Sequence, residues 1–145
     1  LLLVVALVSA SEPEGVAMQE VGSVRTDILE YPWGWLFLET LDEPEQREIR
    51  DASGRTKAWL RRIDQQLASC AREGYVLQDA RHGRAPSDRL AAPVAWDGNV
   101  VAALGTSLPA GARDADELAH TGRGLAEAAS TMSACGTESV KEKHA

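Results

Sequence analysis

Few residues in this chain have the types and spacing that chemistry needs. Asp79 and His82 are a candidate pair of metal ligands or an acid–base couple. They lack an obvious third and fourth ligand, so a metal is not expected. Trp33, Trp35 and Phe37 crowd around Gly34 in a chain with only 5% aromatic residues. Such rings either fill a core or wall an apolar ligand pocket beside the small Gly34. No Gly-x-Ser-x-Gly elbow, P-loop, His-Glu-x-x-His or Cys-x-x-Cys occurs, and the carboxylates fall mostly on helix surfaces or in loops. No catalytic residue and no cofactor are therefore expected, and the sequence does not ask for an enzyme. A small enzyme using Asp79 and His82 is kept as a third reading, which requires the two side chains to meet in a cleft.

Composition narrows the field further. The chain has 145 residues, 44% hydrophobic and 26% charged, which suits one globular domain. A domain of this size buries roughly 68–70% of its unfolded surface and needs no disulfide or metal staple. Cys70 and Cys135 lie far apart and are expected to be free buried thiols in a reducing cytoplasm. The net charge of −7 and pI near 4.9 argue against this segment gripping DNA, because that grip draws on Lys and Arg.

The elements that must position any site read as follows. Leu1 to Ser9 is apolar on both faces, as in a buried strand, and Gly15 to Val21 is expected to pair with it antiparallel. The alternative, the tail of a signal peptide ending at Val8-Ser9-Ala10, lacks a Met and a basic leader; the apolar run is too short to span a membrane. Thr26 to Leu29 reads as a short extended piece. Pro32 marks entry into a helix, and Asp42-Glu43-Pro44-Glu45 opens another through Arg50. Trp59, Leu60, Ile63, Leu67, Cys70 and Ala71 line one face of a helix over 56–73 that ends at Gly74. Tyr75 to Leu77 begins a strand, and 79–88 reads as a loop. Leu90 to Pro109 is a hairpin about Asp97-Gly98, since a type I′ turn needs positive φ at both central residues. A last helix starts at Asp114 with the capping pattern Asp114-x-x-Glu117 and ends at Gly136, leaving a frayed tail. This order describes an α+β fold with a largely antiparallel sheet and helices packed on it.

Taken in order, Glu73-Gly74-Tyr75-Val76-Leu77-Gln78-Asp79, Arg89-Leu90-Ala91-Ala92-Pro93-Val94 and Asp97-Gly98-x-Val100-Val101-Ala102-Ala103-Leu104-x-x-Ser107-x-Pro109 resemble the effector-binding domain of IclR-type transcriptional regulators. Val21-Gly22-Ser23, Gly34, Leu41 to Glu45 and Leu118 to Met132 extend the resemblance over nearly the whole chain. The resemblance implies a GAF-like sensing domain for a small-molecule effector, an organic and sometimes aromatic acid. It also implies a homodimer or tetramer, a cytoplasmic location and no membrane partner. DNA would be bound only through a winged helix-turn-helix outside this chain, upstream of it.

By position, the resemblance puts Pro32, Trp33, Gly34, Asp79, Arg89, Gly105 and Ser107 around the ligand, and the neighbouring Trp35 and Thr106 are counted as candidates with them. Two readings of these residues stay open. In one, the Arg89 guanidinium binds a carboxylate bidentately while Trp33 and Trp35 cover the acid's body. In the other, Arg89 pairs with Asp79, the indoles fill the cavity and the domain is a ligand-free dimerisation module. Register adds a condition. A strict two-residue turn pairs position 89 with 106 and 90 with 105, which puts Arg89 and Ser107 on opposite faces. Only a bulge brings them together, and Pro93 is the expected place for it.

Overall fold

The computed structural model describes residues 2–3, 24–83 and 87–143, with the side chains of 2–3, 25, 82–83 and 136–143 outside the described set. Two short strands, β1 (Leu2–Leu3) and β2 (Val24–Arg25), pair antiparallel. The expected pairing of 1–9 with 15–21 otherwise lies outside the described residues. The extended piece sits at Val24–Arg25 rather than at 26–29, which instead bends and turns into the first helix.

Helix α1 (Pro32–Leu38) begins with Pro at its first position, where a missing N–H costs nothing. It ends as the Thr40 hydroxyl donates to the Phe37 carbonyl at 2.7 Å. Helix α2 (Glu43–Ala52) has a full capping box between Asp42 and Glu45. In α3 (Lys57–Glu73), Thr56 caps the start, Ile63 and Leu67 are the buried stripe, and Gly74 ends the helix.

The main sheet has the order β3 (Val76–Gln78), β4 (Ser87–Trp96), β5 (Asn99–Pro109), all antiparallel. A single turn of helix, α4 (Ala80–Gly83), occupies part of the stretch read as a loop. Strand β4 also begins earlier than the apolar pattern suggested, at Ser87. Asp88 explains this: buried within β4, its carboxylate accepts from the Ala80 N–H at 2.8 Å and the Gly111 N–H at 3.3 Å. A polar residue read as loop is thus a buried staple whose lone pairs are satisfied by backbone.

Helix α5 (Ala115–Lys143) starts at the Asp114/Glu117 capping pair and runs through Gly136. The expected stop at Gly136 and the frayed tail beyond it are therefore incorrect. One Gly costs about 1 kcal/mol in a helix, and the Thr-Glu-Ser-Val-Lys-Glu-Lys run that follows contains no Pro to enforce an end.

Strand alternation divides the core in two. Val76, Ala91, Ala103 and Val100 face α1 and α3, where they meet Trp35, Leu36, Leu38, Ile63 and Leu67. Ala92, Val94, Ala102 and Leu104 face α5 through Leu125, Ala126 and Ala129. The result is a three-layer α+β domain. Cys70 is half-buried and Cys135 is exposed, both free, so only the first fits the expected buried thiol.

Candidate ligand site

The hairpin register decides which residues can meet. Asp97 (φ 48) and Gly98 (φ 79) form the expected turn, and Trp96 pairs with Asn99 and Ala95 with Val100. The register then shifts between Val94 and Ala95. Val94 pairs with Ala102, leaving Val101 as the extra residue of a bulge. From there to the strand ends the shift persists, so Arg89 lies opposite Ser107 and Ala91 opposite Gly105. The bulge comes one residue beyond Pro93. It brings Arg89, Gly105 and Ser107 to one face and turns Thr106, opposite Leu90, to the other. Thr106 therefore does not share a surface with Arg89.

On the Arg89 face, three aromatic and charged groups meet in sequence. The Arg89 guanidinium carbon lies 4.7 Å from the Tyr31 ring centroid. Tyr31 stacks on Trp33 with centroids 4.9 Å apart and planes within 7°. Trp33 in turn lies on β5 at Gly105, where a Cβ would come within 2.9 Å of the indole Cε3. Any residue but glycine there must push the indole away.

The guanidinium is held by neutral groups. Its Nε donates to the Ser87 hydroxyl at 3.1 Å, and one terminal nitrogen donates to the Gln78 amide oxygen at 3.2 Å. Gln78 is 3% exposed, and its own NH₂ donates to the Glu30 carbonyl at 3.0 Å. Among the described residues no acidic side chain pairs with Arg89, and its other terminal nitrogen has no hydrogen-bond acceptor. Asp79 is occupied elsewhere: it accepts from Arg81 at 2.9 Å and from the Arg81 N–H at 2.8 Å. The expected alternative of an Arg89–Asp79 pair is thus replaced. The guanidinium is therefore set among neutral acceptors and one aromatic face, a geometry in which a carboxylate can be accepted bidentately by its remaining N–H groups.

The remaining predicted residues divide sharply. Trp35 is fully buried; its Nε1 donates to the Leu29 carbonyl at 3.0 Å, and its ring meets Trp59 edge-on at 6.0 Å. It fills the core and cannot wall a pocket. Two residues along a helix is about 200° of rotation, so Trp33 and Trp35 could never share one side of α1. Gly34 is also a packing residue, since a Cβ there would collide with the Ile28 carbonyl oxygen. Tyr31, Gln78 and Ser87 were missed by the sequence reading. Their only signals were an aromatic two residues before Trp33 and two polar side chains at strand ends.

A separate cleft of about 310 Å³ lies between the 26–29 bend and the end of α2, lined by Asp27, Leu29, Ile49 and Ser53 among others. None of the predicted site residues lines it. Among the described residues no three His, Cys, Asp or Glu side chains gather to hold a metal, and the His82 side chain lies outside the described set.

No protein-family model and no curated protein matches this sequence. Solved structures do match. The Agobacterium tumefaciens repressor BlcR is 20% identical with a TM-score of 0.64, covering 85% of this chain and 50% of its own. The fold is that of IclR-type regulators. A domain of a transcriptional regulator of the IclR family matches it at 21% identity and a TM-score of 0.63, over 87% of this chain and 77% of its own. An IclR homologue from Microbacterium hydrocarbonoxydans, solved in complex with 4-hydroxybenzoate, matches at 19% and 0.60, over 84% of this chain and 52% of its own. The chain thus spans about half the length of the BlcR repressor and of that homologue. The likeness is one of fold, over most of this chain. Among the described residues no helix is long and apolar enough to cross a membrane.

Proposed function

We propose that this chain is the effector-sensing domain of an IclR-type transcriptional regulator, and that it binds an organic acid through Arg89. The single observation that carries the reading is the Arg89 guanidinium, held by Ser87, Gln78 and the Tyr31 face with no acidic partner among the described residues. The shared fold supports a sensing role, and the Microbacterium neighbour's complex with 4-hydroxybenzoate supports an acid as the effector class. In this reading the carboxylate takes the free N–H groups of Arg89, with the exposed Ser107 hydroxyl opposite it on the sheet. Acid binding then shifts the balance of oligomer arrangements and so the DNA affinity of a domain outside this chain. Catalysis has no part in the proposal.

A thermal-shift panel pairing each acid with its neutral amide tests this, for example propionate with propionamide and benzoate with benzamide. At least one acid should raise the melting temperature while its amide does not, and Arg89→Gln should abolish the gain. Loss of a charged hydrogen-bond pair of about 1.5–3 kcal/mol weakens binding by roughly ten- to a hundredfold. An acid response that survives Arg89→Gln overturns the assignment.

The second reading, a ligand-free dimerisation module, is favoured by the indoles: Trp35 is sealed in the core and Trp33 covers Gly105. It predicts no stabilisation by any acid in the panel.

A further inference from the structure

We infer that Trp33, seated on Gly105, is a stop that limits how long an acid Arg89 can accept. The inference rests on the Arg89 reading above and adds a size class to it. Arg89 and Ser107 form one cross-strand row, and Ala91 and Gly105 form the next row on the same face. Successive same-face rows along a strand are about 7 Å apart. The indole occupies the far row, with its Cε3 and Cζ3 2.9 and 3.5 Å from the place of a Gly105 Cβ. An acid anchored at Arg89 and lying along the strand therefore meets the Trp33 ring within one row. A chain of a few carbons fits that run; a benzene ring carrying a para substituent is longer and must displace the indole. The intact site is thus suited to short aliphatic carboxylates.

Trp33 differs from Trp35 in how it is held. Trp35 is fully buried with its indole N–H bonded to Leu29. Trp33 is half-buried, and no hydrogen bond from its indole is made among the described residues. Its ring rests on Tyr31 and on the sheet at Gly105, contacts that a long ligand can replace. Stacking of this kind is a modest attraction and forms equally well with a ligand ring. Trp33 therefore sets specificity, while Trp35 maintains the fold.

Titration calorimetry of the wild type, Trp33→Ala and Trp33→Phe against propionate and 4-hydroxybenzoate tests this, after circular dichroism shows each variant folded. Trp33→Ala should tighten 4-hydroxybenzoate by about tenfold or more, as expected for opening a pocket by a large apolar group, and leave propionate nearly unchanged. Trp33→Phe, the milder change, should fall between and serves if the alanine variant does not fold. If propionate binds the wild type and neither variant improves 4-hydroxybenzoate, the stop is wrong while Arg89 stands. The stop also fails if the wild type binds 4-hydroxybenzoate as tightly as the variants do. If no variant binds either acid, both readings fall together.

Discussion

The Arg89 guanidinium sits among neutral partners, and that arrangement sets the behaviour expected of its neighbours. Gln78 and Ser87 fix the plane of the guanidinium, so their loss should weaken an acid without removing it. Gln78→Ala is expected to reduce acid affinity several-fold while Arg89→Gln abolishes it, as read by calorimetry. Two glycines nearby are required by close approach. Gly105→Ala places a methyl against the Trp33 indole and should cost roughly 1–3 kcal/mol of stability, with a shift in tryptophan fluorescence. Gly34→Ala meets a backbone carbonyl instead of a movable ring, so its cost should be the larger of the two in urea unfolding. The residue types at 33–35 announced an unusual site in the sequence. Their division was legible too, since residues two apart on a helix entered at Pro32 point to opposite sides; which side meets the core was not.

At the scale of elements, the β4–β5 hairpin determines whether a site exists. Its turn was legible, since Asp-Gly between apolar runs leaves few alternatives. Replacing Gly98, at φ 79, with alanine should cost about 1–2 kcal/mol in a urea midpoint, because a Cβ disfavours that conformation. The bulge was legible only as a need. Apolar alternation through Val100-Val101-Ala102-Ala103 is uninterrupted in type, so no residue in it marks the extra position. The side-chain pairing of Ala92, Val94 and Ala102 against α5 selects the register, and that information is tertiary. The same limit explains Asp88. A carboxylate beside Pro86 and Ser87 reads as loop until the Ala80 and Gly111 N–H groups it serves are in place. The helix 57–73 lay open in the sequence, because its stripe, cap and terminal glycine all agree.

Across the whole molecule, a core residue's effect on stability is expected to be separable from the proposed acid site. The core beneath α1 and α3 includes Cys70, whose thiol burial, helped by the nearby Glu39 charge, pushes up from an ordinary 9.0 to about 11. The folded state thus holds that proton more tightly than the unfolded chain does. Its contribution is complete below pH 9 and declines as pH rises toward 11. Cys70→Ala should therefore flatten the fall in urea midpoint between pH 8.5 and about 10.5 relative to the wild type, with no effect on acid binding. That independence rests on place: Cys70 lies near the C-terminal end of α3, whereas the proposed acid site lies at the β3–β4–β5 surface beside the first turn of α1. The most direct measurement is the Arg89 Nε–H resonance in arginine-labelled protein, assigned by its absence in Arg89→Gln and followed during titration with propionate. The account predicts a saturable shift that propionamide and chloride at matched ionic strength do not produce. A resonance that stays put, or that moves equally with chloride, would contradict it.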